Sequence, residues 1–374
     1  MGNAVIGASR KKLRAAIIGH TGRGGYGHGL DMLFADRSNI EVVAVADPVA
    51  EARARVAGRT GAQQQYADYG EMLVKEQPDL VSVAPRWTDQ HHAMAMAALR
   101  IGAHLFMEKP ITRTLTEADE LLSFANKASL RIAVAHQMRL APNIVFLKQR
   151  MDAGLIGDLL EIRAHGKQDH RAGGEDLLVL GVHLFDLMRL FAGDPQWCSA
   201  RVLQDGHDIT LRHARPATED IGMVAGDAIL AQFAFSNGVN ATFTSRRQNA
   251  TAGPWGMELI GTRGAVKILA DICPRVYQRK DGNWSDAGLA IQWQPIDGDP
   301  TASWTSNEKS VQRANHRLVN DWLEAIETNR EPACSGFAGM KALEMAHAVL
   351  AAGLSGGRLA FPLANRTHPL AKQG

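Results

Sequence analysis

The chain has 374 residues, 45% of them hydrophobic, which is enough for two domains that each bury their own core. Lys and Arg number 41 against 39 Asp and Glu, so the formal net charge is only +2. This balance, without a basic run interleaved with aromatics, argues against a nucleic-acid partner and favours a small-molecule ligand. No apolar run approaches the roughly 20 residues that cross a bilayer, so we expect no membrane association.

The cysteines and the N-terminus favour a reducing compartment. Cys198, Cys273 and Cys334 lie far apart and form no CxxC, which argues against a disulfide framework or a zinc site. The basic cluster near the N-terminus follows a short mixed stretch, the wrong order for a secretory signal. We therefore expect a cytoplasmic protein with a flexible tail over residues 1–12.

Residues 13–140 alternate short apolar runs with helical stretches. The runs are apolar almost throughout, as in parallel strands covered by helices on both faces, and read LRAAIIG, EVVAVAD, DLVSVAP, AHLFME and LRIAVAHQ. Between them lie helix-like segments such as HHAMAMAALRIG and TLTEADELLSFANKAS, the second with Thr114 or Thr116 as its candidate N-cap. This order predicts a Rossmann domain, a doubly wound parallel sheet, over residues 13–140.

Residues 141–374 have longer strand-like segments joined by tight turns. Asn237-Gly238 between two such segments is a strong signal for a two-residue hairpin. We expect a large, mostly antiparallel open sheet with the helix that carries His183 on one face, followed by two late helices and a short final strand. The fold class is α/β. An exposed face on this second, substrate-binding domain would favour a homodimer or homotetramer.

The segment IIGHTGRGGYGHG follows the first run and leads into a predicted helix, the position of a phosphate-binding loop. Two registers fit. Gly22, Gly24 and Gly27 match GxGxxG but begin late, whereas Gly19, Thr21 and Gly24 begin at the right place and lack the middle glycine. We expect a lengthened loop in which the residues from Thr21 to Gly24 lie nearest the phosphates.

Asp47 ends the second run, a little over twenty residues after the glycines. A carboxylate there can accept hydrogen bonds from both ribose hydroxyls of an adenosine. No Arg or Lys immediately follows it, and the carboxylate repels a 2′-phosphate. Together the loop and the acid predict NAD, in preference to NADP; a glycine turn without a ligand is the alternative.

The sequence MEKPI, Met107–Ile111, ends the fourth apolar run. With the glycine loop and Asp47, it resembles the Gfo/Idh/MocA family, named for glucose-fructose oxidoreductase and inositol dehydrogenase. The likeness covers nearly all of residues 13–363. It implies a Rossmann domain, an α/β domain with a large open sheet, and a sugar or cyclitol held between that sheet and the nicotinamide. It also places Lys109 at the reacting hydroxyl, where a cation favours alkoxide character; a surface salt bridge is the alternative.

The stretch GGEDLLVLGVHLFDLMRLF, from Gly173 to Phe191, is the helix on which this family normally carries Asp and His four residues apart. The resemblance puts His183 in the histidine position and Val179 where the aspartate belongs. Asp176 lies two turns away, about 10 Å along the axis, which is too far for a direct hydrogen bond. Asp186 could reach. His183 would then act as a neutral base or position the substrate, unless it is only a satisfied core histidine.

Other polar residues are predicted with open alternatives. Arg139 could meet a substrate group or form an interdomain salt bridge, and His316 could reach the pocket or belong to a helix cap. His91 and His92 diverge by about 100° on a helix and have no evident third ligand, so we expect no metal. The predicted substrate-binding residues are Arg139, Gln168, His170, Arg171, Asp186 and His316. The predicted cofactor-binding residues are Gly19, Thr21, Gly22, Arg23, Gly24, Asp47, Pro85, His91, Glu108 and Lys109.

These observations predict an NAD-dependent oxidoreductase that acts on a ring hydroxyl of a sugar, sugar derivative or cyclitol, with Lys109 and His183 as the catalytic residues. One alternative keeps its NAD and uses transient oxidation to drive elimination, as a glycosidase, lyase or epimerase. Another is a non-catalytic NAD-binding sensor. Net turnover of nicotinamide would separate the first from the other two.

Overall fold

The computed structural model describes residues 12–247, 253, 255–279 and 293–371. The tail predicted over residues 1–12 lies outside these, apart from Lys12.

The first domain is a six-stranded parallel sheet in the order β3-β2-β1-β4-β5-β6, and the five predicted apolar runs supply five of its strands. Its strands are β1 Leu13–Ile18, β2 Ile40–Ala46, β3 Gln64–Tyr66, β4 Leu80–Val83, β5 His104–Met107 and β6 Ile132–Val134. The edge strand β3 was not predicted. It is short and mostly exposed, and it pairs only with β2, so it carries no apolar run.

Four α-helices cover this sheet: α1 Ala50–Thr60, α2 Tyr69–Glu76, α3 His91–Arg100 and α4 Leu115–Lys127. Helix α4 begins with a capping box in which Thr114 accepts from the Glu117 N–H, which confirms Thr114 as its cap. The helix predicted after the glycine loop is wrong. The chain forms a short 3₁₀ segment there, Gly27–Met32, because His28 and Gly29 adopt left-handed φ angles of 46° and 70° that interrupt a helix.

The second domain contains a ten-stranded sheet in the order β17-β16-β15-β14-β7-β13-β12-β8-β18, with β9 beside β8. Only the pair of β7 and β13 is parallel, so the mostly antiparallel sheet is confirmed. Its strands are β7 Leu159–His165, β8 Pro195–Gln204, β9 His207–Asp208, β12 Ala228–Phe235, β13 Asn240–Arg246, β14 Gly256–Gly261, β15 Gly264–Leu269, β16 Arg275–Arg279, β17 Gln294–Pro295 and β18 Leu359–Ala360. A separate small hairpin pairs β10 Arg215–Pro216 with β11 Met223–Val224.

Strands β12 and β13 pair antiparallel around Asn237-Gly238, as predicted. The loop has three residues rather than two. The Gly238 N–H donates to the Phe235 carbonyl, the Phe235 N–H donates to the Val239 carbonyl, and Gly238 has a φ of +82°. This is the turn followed by a left-handed glycine that is typical of three-residue hairpins.

The helices of the second domain are α5 Pro142–Asp152, α6 Gly174–Asp176, α7 Val182–Ala192, α8 Val311–Thr328 and α9 Gly336–Ser355. Helix α9 is apolar on all sides because it packs against α7, α4, β6 and β8. Within the described part of the chain it alone has the length and composition of a membrane span, and most of it is buried inside the protein.

Helix α8 returns to the first domain. Its Trp322 is fully buried and meets Phe106 of β5 edge to face, with ring centroids 5.7 Å apart. Residue 140 lies between the strands of the two sheets, and the boundary there stays a prediction, because a late helix completes the core of the first sheet. The beginning of α8 lies near the carboxyl end of β5, since Asn315 donates to the carbonyl oxygen of His28, which contacts Glu108.

Candidate active site

Lys109 follows β5 by two residues, at the edge of the parallel sheet where ligands of this fold class bind. Its side chain is only 6% exposed. Burial lowers the pKa of the ammonium, and the negative charges of Glu108 and Glu219 oppose that shift. The Lys109 N–H donates to Glu108 Oε2 at 2.6 Å, so the glutamate fixes the backbone that carries the amine.

His91 stabilises the turn that carries Lys109. It is fully buried at the start of α3, with Nε2 2.8 Å from the Pro85 carbonyl oxygen and Nδ1 2.9 Å from the Pro110 carbonyl oxygen. The ring thus joins the loop after β4 to the loop after β5. Among the residues predicted to bind the cofactor, His91 and Pro85 support the binding edge through this bridge.

The helix that carries His183 is interrupted. After α6 the residues Leu177–Gly181 form a π-helical turn, and only then does α7 begin. Lys109 Nζ donates to the carbonyl oxygen of Val179 in this turn at 2.8 Å. The position that the family fills with an aspartate therefore contacts the lysine through its main-chain oxygen.

His183 is 7% exposed and lies among other rings. Its centroid is 5.4 Å from that of His136 and 6.4 Å from that of Trp255, both edge to face. Nδ1 is buried and has no hydrogen-bond partner among the described residues. Burial, followed by the charges of Lys109, His136 and His28, lowers the pKa of His183 well below its usual range, so the imidazole is a neutral proton acceptor.

Asp186, three residues after His183 on α7, acts through its charge on a different histidine, His136. It is 1% exposed, and Arg139 Nε lies 3.7 Å from its Oδ1. Its negative charge opposes the lowering of the His136 pKa by burial. Arg139 also donates to the Ala333 carbonyl at 3.0 Å. Of the two interpretations of Arg139, this geometry favours the interdomain ion pair; a direct substrate contact stays a prediction.

A segment of the second domain, residues 214–222, lies across the crevice, and we call it the crossing segment. The carbonyl oxygen of Asp220 accepts the Thr88 N–H at 3.0 Å, next to the end of β4. The Asp220 carboxylate pairs with Arg113 and with Arg23, the latter at 3.3 Å. Since Arg23 belongs to the glycine loop, the crossing segment ties the substrate-binding domain to the predicted cofactor site.

Glu219 is the charged residue of the crossing segment that lines a cavity together with Lys109. Its carboxylate pairs with Arg86 and lies 3.6 Å from Arg171 Nη1. A narrow cavity opens between it and the lysine, lined by Arg86, Lys109, Pro110, Val179, Glu219 and Ile221. The cavity thus brings together Lys109, the π-helical turn and a carboxylate from a loop distant in sequence.

The residues predicted near the pocket mouth have different environments. Arg171 is held by Asp169, whose Oδ2 lies 2.7 Å from Arg171 Nη2. Gln168 is 5% exposed, and its N–H donates to Asp176 at 3.3 Å. The His170 side chain is 79% exposed. Only Arg171 is connected to the cavity, through Glu219.

His316 lies outside the cluster around Lys109. Burial and then the charges of Arg37 and Arg313 lower its pKa, and the charge of Asp36 opposes that shift. The preceding residue, Asn315, reaches inward instead, where Nδ2 donates to the His28 carbonyl at 2.8 Å and Oδ1 accepts from Gln137 at 3.1 Å. Of the predicted pair Asn315-His316, Asn315 therefore makes the inward contact of α8.

The glycine loop lies against the sheet edge. Thr21 donates through its N–H and its hydroxyl to Asp47 Oδ2, at 3.0 and 2.9 Å. The Tyr26 ring covers Gly19, where an added Cβ would lie 2.1 Å from the ring. Burial and then the charge of Asp47 raise the pKa of the Tyr26 phenol. A Cβ at Gly24 would come within 2.6 Å of Arg86 Cβ, so only glycine permits this approach.

The residues present fit NAD in kind and position. Gly22 and Gly25 have φ angles of +95° and +62°, and an added Cβ at either would meet nothing within 4 Å, so this part of the loop is open to a ligand. Asp47 ends β2 with a carboxylate suited to ribose hydroxyls. A ribose would take over the hydrogen bonds that Thr21 now makes to that carboxylate.

Sequence reasoning missed three residues of this site. His136 follows β6 by two residues, and the carboxyl end of a parallel strand was a usable signal for it. His28, which contacts Glu108, lies in a loop too rich in glycine for its position to be inferred. Glu219 carried no signal because its loop is polar and irregular. The described residues contain no group of three or more His, Cys, Asp and Glu arranged to hold a metal ion.

Both domains match models of one protein family. Residues 13–136 match the Gfo/Idh/MocA oxidoreductase family model, described as an NAD-binding Rossmann fold. Residues 144–267 match the Gfo/Idh/MocA C-terminal domain.

Individual relatives agree with these models. The chain is 23% identical over 325 residues to D-apiose dehydrogenase of Paraburkholderia graminis, a match that covers 84% of this chain and 81% of that protein. It is 25% identical over 265 residues to the NAD⁺-dependent scyllo-inositol 2-dehydrogenase of Bacillus subtilis, covering 69% and 74%. Its fold is similar to that of a levoglucosan dehydrogenase solved with NADH and levoglucosan, with a TM-score of 0.72 at 19% identity, covering 94% of this chain and 100% of that one. The chain therefore belongs to the Gfo/Idh/MocA oxidoreductase family, and residues 13–136 form its NAD-binding domain.

Proposed function

We propose that this oxidoreductase uses NAD to oxidise a ring hydroxyl of a sugar, sugar derivative or cyclitol. The observation that carries the proposal is the hydrogen bond from Lys109 Nζ to the Val179 carbonyl at 2.8 Å. It joins the lysine at the sheet edge to the helix of His183 across the domain boundary. The relatives that are named for D-apiose, scyllo-inositol and levoglucosan dehydrogenation support this substrate class.

Lys109 and His183 have different roles at the substrate hydroxyl. When bound, NAD supplies the hydride acceptor for the carbinol carbon. The Lys109 ammonium has three N–H donors, and those not used by Val179 can hydrogen-bond the substrate oxygen and stabilise its alkoxide character. Because His183 Nδ1 is buried, Nε2 is the nitrogen available to accept the hydroxyl proton as the carbonyl product forms.

The cellular setting is part of the proposal. All three cysteines are free and buried, which supports a reducing, cytoplasmic location. Leu230 on β12 is 57% exposed and would lie in an interface of a homodimer or homotetramer.

The test incubates the purified protein with NAD⁺ and a panel that includes D-apiose, levoglucosan, scyllo-inositol, myo-inositol and alkyl glucosides. We expect at least one compound to increase nicotinamide absorbance, and Lys109→Ala to abolish that increase. Product formation without net absorbance change would favour the elimination chemistry instead, and cofactor binding without any turnover would favour a sensor. Neither of these alternatives is favoured by the relatives reported above.

A further inference from the structure

We propose that Glu219 is a positioning residue that supplies, from the crossing segment, the carboxylate that Val179 does not provide. It would keep Lys109 protonated and directed at the substrate oxygen. The inference rests on the proposed dehydrogenase function and names a residue for which the family motif has no place.

The cavity beside Lys109 supports this assignment. Of the six residues that line it, Glu219 alone is a carboxylate, and its negative charge acts on the Lys109 ammonium. The Glu219 side chain is 21% exposed, so the charge interaction is partly shielded from water. The cavity thus contains one carboxylate and the Lys109 ammonium, next to the helix position at which the family uses an acid.

Glu108 is adjacent to Lys109 and its charge also favours the protonated amine, but neither of its oxygens is free to enter the cavity. One of its oxygens contacts His28, and the other accepts the Lys109 backbone N–H at 2.6 Å. Burial opposes its ionisation, yet His28 and then Lys109 hold the pKa of Glu108 at about 2. Both oxygens are therefore committed, and Glu219 is the acid left for the cavity.

The charges around Lys109 determine the effect of losing Glu219. Glu108 and Glu219 favour the protonated amine, whereas burial, Arg86 and Arg171 disfavour it. Removing the Glu219 charge leaves both arginines in place and lowers the pKa of Lys109 further. Turnover that needs the protonated amine would then fail at a lower pH.

Glu219 could instead serve only to hold the two domains together through Arg86. The next residue offers a matched control, because Asp220 also makes interdomain ion pairs, with Arg113 and Arg23, but does not line the cavity. A purely structural role predicts the same outcome for Glu219→Gln and Asp220→Asn. The proposed role predicts that only Glu219→Gln changes the ionisation of Lys109.

The first measurement needs no substrate. Proton-dependent shifts of the lysine Nζ resonances are followed by ¹⁵N NMR in the full-length protein with NAD⁺ added, and Lys109→Met identifies the Lys109 signal. We expect Glu219→Gln to lower the pKa of Lys109 by about one pH unit and Asp220→Asn to leave it unchanged. An unchanged pKa in Glu219→Gln, or equal shifts in both variants, would overturn the proposal.

The second measurement uses whichever compound of the panel the wild-type enzyme oxidises. In the pH profile of kcat, Glu219→Gln should move the alkaline limb to lower pH by the same amount as the pKa of Lys109 falls. At pH values above that limb, kcat should be about tenfold lower than in the wild type. Glu219→Gln combined with Val179→Asp should restore the limb, because the helix then carries the acid. If no compound is oxidised, the dehydrogenase function fails while the NMR titration still decides the role of Glu219.

Discussion

Replacing Lys109 with methionine tests whether the amine is needed for turnover or for the stability of the fold. The side chain is 6% exposed, and burial lowers the pKa of its ammonium. Protonating it therefore costs the folded state free energy, a cost that is full below the folded-state pKa and vanishes as pH rises past the ordinary value of about 10.4. Methionine fills a similar volume and removes this cost.

The substitution also removes the donor to the Val179 carbonyl. An unsatisfied buried acceptor costs about 1–3 kcal/mol, which offsets the gain from losing a buried charge. We therefore expect the free energy of unfolding at neutral pH to change by less than about 2 kcal/mol. Since the amine acts on the reacting oxygen, kcat/KM should fall by about 10²–10⁴.

Lys341→Met is the matched control. Lys341 is also largely buried, with Nζ 2.6 Å from Glu344 Oε2, but it lies on α9 away from the cavity. Losing Lys341 should destabilise the fold by about 1–3 kcal/mol. The loss is no larger because Arg366 still pairs with the buried Glu344 carboxylate. The turnover of the folded enzyme should stay intact. Thermal unfolding and initial rates measured on both variants test the contrast. A Lys109→Met protein that is destabilised by more than about 2 kcal/mol, or that keeps more than about a tenth of wild-type activity, would refute the reasoning.

Three further substitutions test other parts of the molecule. Asp47→Asn should weaken NAD binding about tenfold and reduce the preference for NAD over NADP, since the neutral amide no longer repels a 2′-phosphate. Calorimetric titration with both cofactors measures the two affinities. An unchanged preference for NAD would contradict the assignment of Asp47. Thr114→Ala should lower the free energy of unfolding by about 1 kcal/mol in a urea titration, because it removes the α4 capping box, whereas the exposed Thr116→Ala should have little effect. The fold keeps His347 and His368 neutral, since burial lowers the pKa of both, of His368 to about 4, so stability should fall as pH decreases from about 6.5 towards that value. His347→Gln should flatten part of this dependence in melting curves, and a parallel loss in both proteins would show that other groups cause it.

The sheet of the first domain could be predicted because its strands are buried on both faces. A strand buried on both faces needs apolar residues at successive positions, and the strand from Leu80 to Val83, for example, is buried at every position. The strand Gln64–Tyr66 left no such run, since it lies at an edge with a single neighbour. Sequence patterns therefore predicted the interior of the sheet and missed its margin.

The site was only partly predictable, for a related reason. Lys109, Asp47 and His183 follow or lie within regular elements, so their positions could be inferred from the spacing of those elements. The π-helical turn has the same apolar composition as an α-helix, and nothing in the order of residues from Leu177 to Gly181 separates the two. Glu219 comes to the cavity on a loop whose path depends on ion pairs with residues more than a hundred positions away, those of Glu219 with Arg86 and of Asp220 with Arg113.

The contact between Lys109 and Val179 changes what natural selection can act on at position 179. Every amino acid carries a main-chain oxygen, so exchanges of the side chain there leave the lysine's anchor in place. Such exchanges alter only the shape and polarity of one wall of the cavity. Position 179 can therefore diverge to suit new substrates without loss of the lysine's orientation, which makes it a natural starting point for redesigning specificity.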